Sequence, residues 1–181
     1  MSYRPITDMW ILARAKLKEG RRYYGAYPGG FPERARVLLG ASLNTPVLHV
    51  CGGMARFYPY SRGFGPYDKT LDLDPETSPD FLQDARLPYP LSDRGLWRAI
   101  LMDPPYSEEE AANYKVGSSK YPRPGSLLAN AMVALRLGGR VGIIHYLVPK
   151  TPEGARFVAV AGVMVGQNNR LRAFTVFEKE A

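Results

Sequence analysis

Residues 97–106 read WRAILMDPPY, an apolar run of strand length that ends in Asp-Pro-Pro-Tyr. Only Arg98 interrupts the run, and so short and continuous an apolar stretch suits a strand covered on both faces. Runs of the same kind stand to either side: PVLHV at 46–50, KTLDLD at 69–74 and RVGIIHYLV at 140–148. Farther on, FVAVAGVMV at 157–165 and RLRAFTVFE at 170–178 flank GQNN at 166–169 and read as a β-hairpin. Between the strands, PRPGSLLANAMVALRLGG at 122–139 sets Leu127, Leu128, Ala131, Met132 and Leu135 at helical spacing, with Gly138 and Gly139 expected to close the helix. A shorter helix is expected in FPERARVLLG at 31–40, where Pro32 suits the first turn and Gly40 the stop. Buried strands alternating with helices, then a hairpin, predict an α/β fold with a mostly parallel sheet and an antiparallel edge.

A chain of 181 residues, 45% of them hydrophobic, can bury one core, so a single domain over 1–181 is expected. Its first part, 1–30, holds the basic run Arg14, Lys16, Lys18, Arg21 and Arg22, followed by YYGAYPGG, and reads as an arm or lid. Arg14 and Lys16 break the one apolar patch there, which excludes a signal segment or a transmembrane span and predicts an intracellular, cytoplasmic protein. Cys51 is the sole cysteine, ruling out an intrachain disulfide and a cysteine-rich zinc site. With 24 Lys and Arg against 17 Asp and Glu, the formal charge of +7 favours a polyanion as partner, nucleic acid being the commonest.

In an open α/β sheet, ligands sit beyond the carboxyl ends of the strands. Cys51-Gly52-Gly53 follows the strand at 46–50, Asp72 and Asp74 end the strand at 69–74, Asp84 lies in FLQDARLPYP, and Asp103-Pro104-Pro105-Tyr106 follows the strand at 97–102. The two glycines would let the backbone approach a cofactor, and an acid ending the second strand can accept both ribose hydroxyls of an adenosine. A tight turn and a solvated strand end would explain the same residues. The Asp-Pro-Pro-Tyr run suits one task more closely. An exocyclic amine is a poor nucleophile because its lone pair is delocalised into the ring. If the Asp103 carboxylate and the Pro104 carbonyl each accept an amine hydrogen, the nitrogen becomes more tetrahedral and more nucleophilic. The prolines fix φ and preorganise that carbonyl, and Tyr106 offers a ring on which a flipped base can stack. A proline-rich turn with Tyr106 capping the core is the structural alternative.

The same residues carry a family resemblance over nearly the whole chain. The chain resembles the S-adenosylmethionine-dependent DNA amino-methyltransferases of adenine N6 and cytosine N4, and is similar to their small, phage-type members. YYGAYPGGFPERA resembles the cofactor lid, VLHVCGG the glycine motif, TLDLD the ribose-binding acid, QDA the adenine-edge acid and DPPY the catalytic motif. The resemblance implies a Rossmann-like, seven-stranded sheet with some helices reduced, and S-adenosyl-L-methionine as cofactor with no metal. It implies that Tyr24, Gly25, Cys51, Gly52, Gly53, Asp72, Asp84 and Ala85 hold the cofactor, and that Asp103, Pro104, Pro105 and Tyr106 form the catalytic motif. DNA is the expected substrate, adenine N6 first and cytosine N4 second, with an RNA or protein amine, or a non-catalytic nucleic-acid-binding role, as alternatives.

Three departures stand out. His49 replaces the acid usual in the first strand and is expected in the core. MARFYPYSRGFGPYD at 54–68 and PETSPDFLQ at 75–83 suit no full helix. No segment remains for a target-recognition domain, which leaves room for a homodimer or a separate recognition partner. Lys115, Lys120, Tyr121 and Arg123, which interleave cations and rings in the loop after the catalytic motif, are the candidate substrate contacts, with an ordinary solvated loop as the alternative.

Overall fold

The computed structural model describes residues 4–13, 27–57, 63–93, 95–114, 121–166 and 170–181. Eight strands form one sheet: β1 (Ile6–Leu12), β2 (Val47–Val50), β3 (Lys69–Asp72), β4 (Phe81–Leu82), β5 (Trp97–Met102), β6 (Leu135–His145), β7 (Ala155–Val165) and β8 (Leu171–Lys179). Their order is β1-β7-β8-β6-β5-β2-β3-β4. All neighbours pair in parallel except β8, which runs antiparallel to both β6 and β7. The expected mixed sheet with its terminal hairpin is thus present.

Helix α1 (Phe31–Leu38) packs on one face and α3 (Pro124–Ala134) on the other, while the short α2 (Glu108–Ala112) follows the Asp-Pro-Pro-Tyr run. Phe31, Ala35 and Leu39 recur four residues apart and are buried among Trp10, Phe174 and Leu101. Leu127, Leu128, Ala131 and Ala134 do the same for α3 against Leu48, Ile100 and Val141. Each fully buried large apolar side chain contributes roughly 1.5–3 kcal/mol. No helix among the described residues is long and apolar enough to cross a membrane.

Three expectations are corrected. The sheet has eight strands rather than seven, because residues 6–12 belong to the sheet and not to a basic arm. Trp10 and Leu12 point into the α1-side core, 4% and 6% exposed, and β1 pairs with β7 from Ile6↔Ala159 to Leu12↔Val165. Helix α3 ends at Ala134, before the glycines: Leu135 is already extended (φ −84°, ψ 142°) and pairs with Trp97. Gly138 and Gly139 lie instead inside β6, at an irregularity in its pairing with β5, where Gly138 has φ +69°. The loop after the catalytic motif contains α2, capped by Ser107, whose Oγ accepts the Glu110 N–H at 3.1 Å. Ser-Glu-Glu-Glu at 107–110 is the sequence pattern of such a cap and could have signalled it.

Where full helices were not expected, the described residues of 54–68 and 75–83 hold no α-helix; they include 3₁₀ turns at Ala55–Phe57 and Pro75–Thr77 and the two-residue β4. The site is positioned by the sheet order. From β2 the chain builds outward through β3 and β4, then returns to place β5 on the other side of β2. The carboxyl ends of β2 and β5 therefore diverge at a switch point, the place where open α/β sheets bind ligands.

Candidate active site

Register brings the two principal motifs together. Val50 stands opposite Met102, so Cys51 and Asp103 leave the sheet side by side, and the Asp103 N–H donates to the Val50 carbonyl at 3.2 Å. Cys51 has φ +54°, a left-handed turn that points the following backbone across β3. Its N–H donates to the Leu71 carbonyl at 2.8 Å. Gly52 is required here: a Cβ would stand 2.9 Å from the His49 Cβ and 3.0 Å from the His49 carbonyl oxygen. The Gly53 N–H donates to Oδ2 of Asp72 at 2.8 Å, and the Asp74 N–H to its Oδ1 at 3.0 Å. One carboxylate thus fastens the glycine turn to the end of β3. Burial raises the Asp72 carboxyl above its ordinary value, against the lowering by these N–H groups.

Asp84 follows β4, anchored by a Gln83 N–H to Asp72 carbonyl bond of 2.9 Å. Arg86 Nε donates to both Asp84 oxygens, at 3.0 and 2.9 Å, and the Arg86 N–H adds a third bond at 2.9 Å. These bonds hold the Asp84 carboxyl below its usual range. Ala85 is buried, and its carbonyl accepts from the Asn130 side chain at 3.3 Å, tying this turn to α3. Burial first, then the negative charges of Asp72, Asp103 and Asp84, push the Cys51 thiol well above the ordinary value.

In the Asp-Pro-Pro-Tyr run, Pro104 is buried while Asp103, Pro105 and Tyr106 are half-buried. The Tyr106 hydroxyl donates to Oδ1 of Asp103 at 2.7 Å. Burial pushes the Asp103 carboxyl up to about 7, while the Tyr106 hydroxyl and the positive charge of Arg172 pull it down. The Tyr106 backbone is held from two sides. Its N–H donates to Oε2 of Glu110 at 3.2 Å, and its carbonyl accepts from the Tyr121 hydroxyl at 3.2 Å. Tyr121 in turn meets His145 Nε2 at 2.7 Å, and His145 Nδ1 accepts the Leu147 N–H at 3.2 Å. With Nδ1 accepting, a neutral His145 carries its proton on Nε2 and donates it to Tyr121. Burial keeps His145 below its ordinary pKa, which favours that neutral form.

Around the Tyr106 ring stand Tyr146 at 4.7 Å, His145 edge-on at 5.5 Å and the guanidinium of Arg172 at 5.3 Å. Oε1 of Glu110 accepts from the Tyr146 hydroxyl at 2.8 Å and from Arg170 at 2.9 Å. Beside them lies an open cleft of about 520 Å³, lined by Ser107, Glu109, Glu110, Asn113, Tyr146, Arg170 and Leu171. Base stacking on Tyr106 therefore has to displace part of this cluster.

His49, placed in the core by the sequence, is 1% exposed. Its Nε2 lies 3.1 Å from Oδ2 of the buried Asp68, which also accepts from Arg36 and from the Gly65 N–H at 2.8 Å. Oδ1 of Asp68 takes the Val47 N–H at 3.0 Å. Burial opposes the charge on Asp68, yet His49 and Arg36 hold its carboxyl below the ordinary value.

Tyr24, Gly25, Lys115, Lys120 and the basic run from Arg14 to Arg22 lie outside the described residues. Tyr121 is at the site, with its hydroxyl engaged internally; Arg123 is exposed at the start of α3. Glu110, Tyr146 and Arg172 were not singled out by sequence. The Ser-Glu-Glu-Glu capping pattern is a local signal that could have found Glu110, whereas nothing local marked the other two.

No family model and no curated protein matches the chain. Solved structures do. TrmN from Thermus thermophilus superposes with a TM-score of 0.61 at 22% identity over 86% of this chain, which spans 50% of the length of that protein. An rRNA methylase from Streptococcus thermophilus gives 0.50 at 10% identity, over 82% of this chain and 95% of its own. A Streptococcus mutans protein described as a methyltransferase, in complex with SAH, gives 0.50 at 13% identity over 81% and 95%. The chain has the Rossmann-like methyltransferase fold, in a sheet of eight strands with β1 outside β7.

Proposed function

We propose that this chain is an S-adenosylmethionine-dependent N-methyltransferase acting on an exocyclic base amine of nucleic acid, with adenine N6 of DNA as the first assignment. The observation that carries this reading is the register that sets Val50 opposite Met102, so that the Cys51-Gly52-Gly53 turn, fastened to Asp72, and the Asp-Pro-Pro-Tyr run leave the sheet side by side at its switch point. The site's chemistry fits such a cofactor. Asp72, at the end of β3, can accept hydroxyl hydrogens, and the turn at Gly52 leaves no room for a side chain. When bound, S-adenosylmethionine supplies a positively charged sulfonium whose methyl group is the electrophile.

The chain's own residues would act in a fixed order. Asp72 would accept the ribose hydroxyls while still fastening Gly53, and Asp84 would receive the adenine amine of the cofactor once turned from Arg86. Asp103 exchanges the Tyr106 hydroxyl for one hydrogen of the target amine, and the Pro104 carbonyl accepts the other. Transfer would form the nitrogen–carbon bond as the bond from that carbon to sulfur breaks, the electron pair staying on a neutral thioether, and the proton lost by the amine would pass to Asp103, a carboxyl titrating at about 7. Tyr106, released from Asp103, stacks on the base.

Several features support nucleic acid as the substrate: the charge of +7, the Asp-Pro-Pro-Tyr motif and its resemblance to the DNA amino-methyltransferases. RNA is the second reading, favoured by the likeness in fold to an rRNA methylase. The test is transfer of labelled methyl to unmethylated DNA and to RNA, followed by nucleoside analysis. Label at adenine N6 of DNA is expected. Label in RNA alone would move the assignment to the second reading, and no label in either despite cofactor binding would overturn both.

A further inference from the structure

We propose that Arg172 is the residue that grips a phosphate of the acceptor strand next to the target base. The inference rests on the nucleic-acid reading above. Arg172 stands near the start of β8, one residue before Ala173, which pairs with His145 at the carboxyl end of β6. That is the edge of the sheet from which Asp103 emerges. Its guanidinium lies 5.3 Å over the Tyr106 ring, the surface assigned to the base.

Its guanidinium combines that ring contact with a buried nitrogen that has no partner. Arg36, Arg86, Arg140, Arg156 and Arg170 each pair with a carboxylate. Among the described residues, Arg172 Nε and Thr175 Oγ1 are the buried side-chain polar atoms with no hydrogen-bond partner. A buried donor left unpaired is costly and generally has a reason in function. Here the donor belongs to a cation stacked on the motif that takes the base. A guanidinium fixed in its plane by a ring matches the paired oxygens of a phosphodiester. A base settling on Tyr106 carries its phosphodiester toward that guanidinium, so one movement would exchange the ring contact for an oxyanion. The carboxylate of the methyl donor offers related chemistry, and the experiment separates the two sources.

The probe is a short single-stranded oligodeoxynucleotide with one adenine, bound to the full chain over a series of salt concentrations. Arg172→Met is expected to lower the slope of log affinity against log salt by about 0.7, the loss of one phosphate contact on a single strand. Cofactor affinity measured by calorimetry should stay unchanged. A neutral methylphosphonate beside the adenine should weaken binding to the unmodified chain and add nothing to Arg172→Met. Equal slopes for the two proteins would overturn the inference, as would a cofactor affinity that falls while the slope holds. A methylphosphonate penalty on the unmodified chain that falls equally on Arg172→Lys and Arg172→Met would also overturn it. Absence of salt-dependent binding by the unmodified chain to both DNA and RNA would instead defeat the nucleic-acid reading itself.

Discussion

The Tyr106 hydroxyl donates to Oδ1 of Asp103 across 2.7 Å, so the first and last residues of the Asp-Pro-Pro-Tyr run are joined to each other. An incoming amine has to take the place of that hydroxyl. The bond also helps keep the Asp103 carboxylate charged, opposing the burial that pushes its pKa up to about 7. Tyr106→Phe removes this help. The acid limb of the pH profile for methyl transfer, set by ionisation of Asp103, should therefore move to higher pH. A full profile of kcat/KM for both proteins checks this; an unmoved acid limb would dissociate Asp103 from it.

The same carboxyl should reveal itself in stability. Its folded pKa is raised from 3.8 to about 7, so the folded state holds the proton more tightly than the unfolded chain. The contribution is present below the unfolded value and is lost as pH rises through the folded one. Asp103→Asn, which cannot ionise, should gain stability relative to the unmodified chain between about pH 4 and 7, then hold a constant advantage on the order of 2–4 kcal/mol. Denaturant unfolding across this range measures the gap.

Asp68 has the opposite sign. It is a buried carboxylate whose partners Arg36 and His49 are themselves buried. Asp68→Ala strands the buried Arg36 guanidinium and should cost about 3–5 kcal/mol at neutral pH. Because the Asp68 carboxyl is held below its ordinary value, its contribution is present above the unfolded pKa and is lost as pH falls through the folded one. Denaturation midpoints at neutral and acid pH should therefore differ more for the unmodified chain than for the variant.

Gly52→Ala tests the turn after β2. A methyl group there meets the Cβ and carbonyl of His49 near 3 Å, so the backbone has to shift. Overpacking of this kind costs about 1–3 kcal/mol. Because the next residue is fastened to Asp72, the shift should also weaken cofactor binding, by about 10-fold or more if one charge-assisted hydrogen bond is lost. Calorimetric titration with the cofactor and with its demethylated product gives the answer.

Most of the sheet was legible because β2, β3, β5 and β6 are short apolar runs with polar or glycine residues at their carboxyl ends, and the hairpin alternates. The eighth strand was hidden by its neighbours: residues 6–12 contain Asp8 and run directly into the basic stretch, so charge outweighed the alternation of Trp10 and Leu12. Leu135 continued the helical spacing of α3, but its pairing with Trp97 drew it into β6, a tertiary preference that local pattern does not carry. Within the site, Asp72 and Asp103 could be read because they close apolar runs of strand length, and Asp84 through the resemblance of QDA. The acid beside His49 could not, since Asp68 stands 19 positions farther on and meets it only when β3 pairs with β2. Arg172 was equally hidden, as its closeness to Tyr106 depends on β8 returning antiparallel to β6.

The most direct test of the central assignment compares the unmodified chain with Asp103→Asn in transfer of labelled methyl from S-adenosylmethionine to DNA, with cofactor affinity measured alongside. The expected result is labelled N6-methyladenine from the unmodified chain, a rate lower by about 10²- to 10⁴-fold in the variant, and similar cofactor affinity in both. Equal rates of transfer would contradict the role given to Asp103, and with it the reading of Asp-Pro-Pro-Tyr as the amine-binding site.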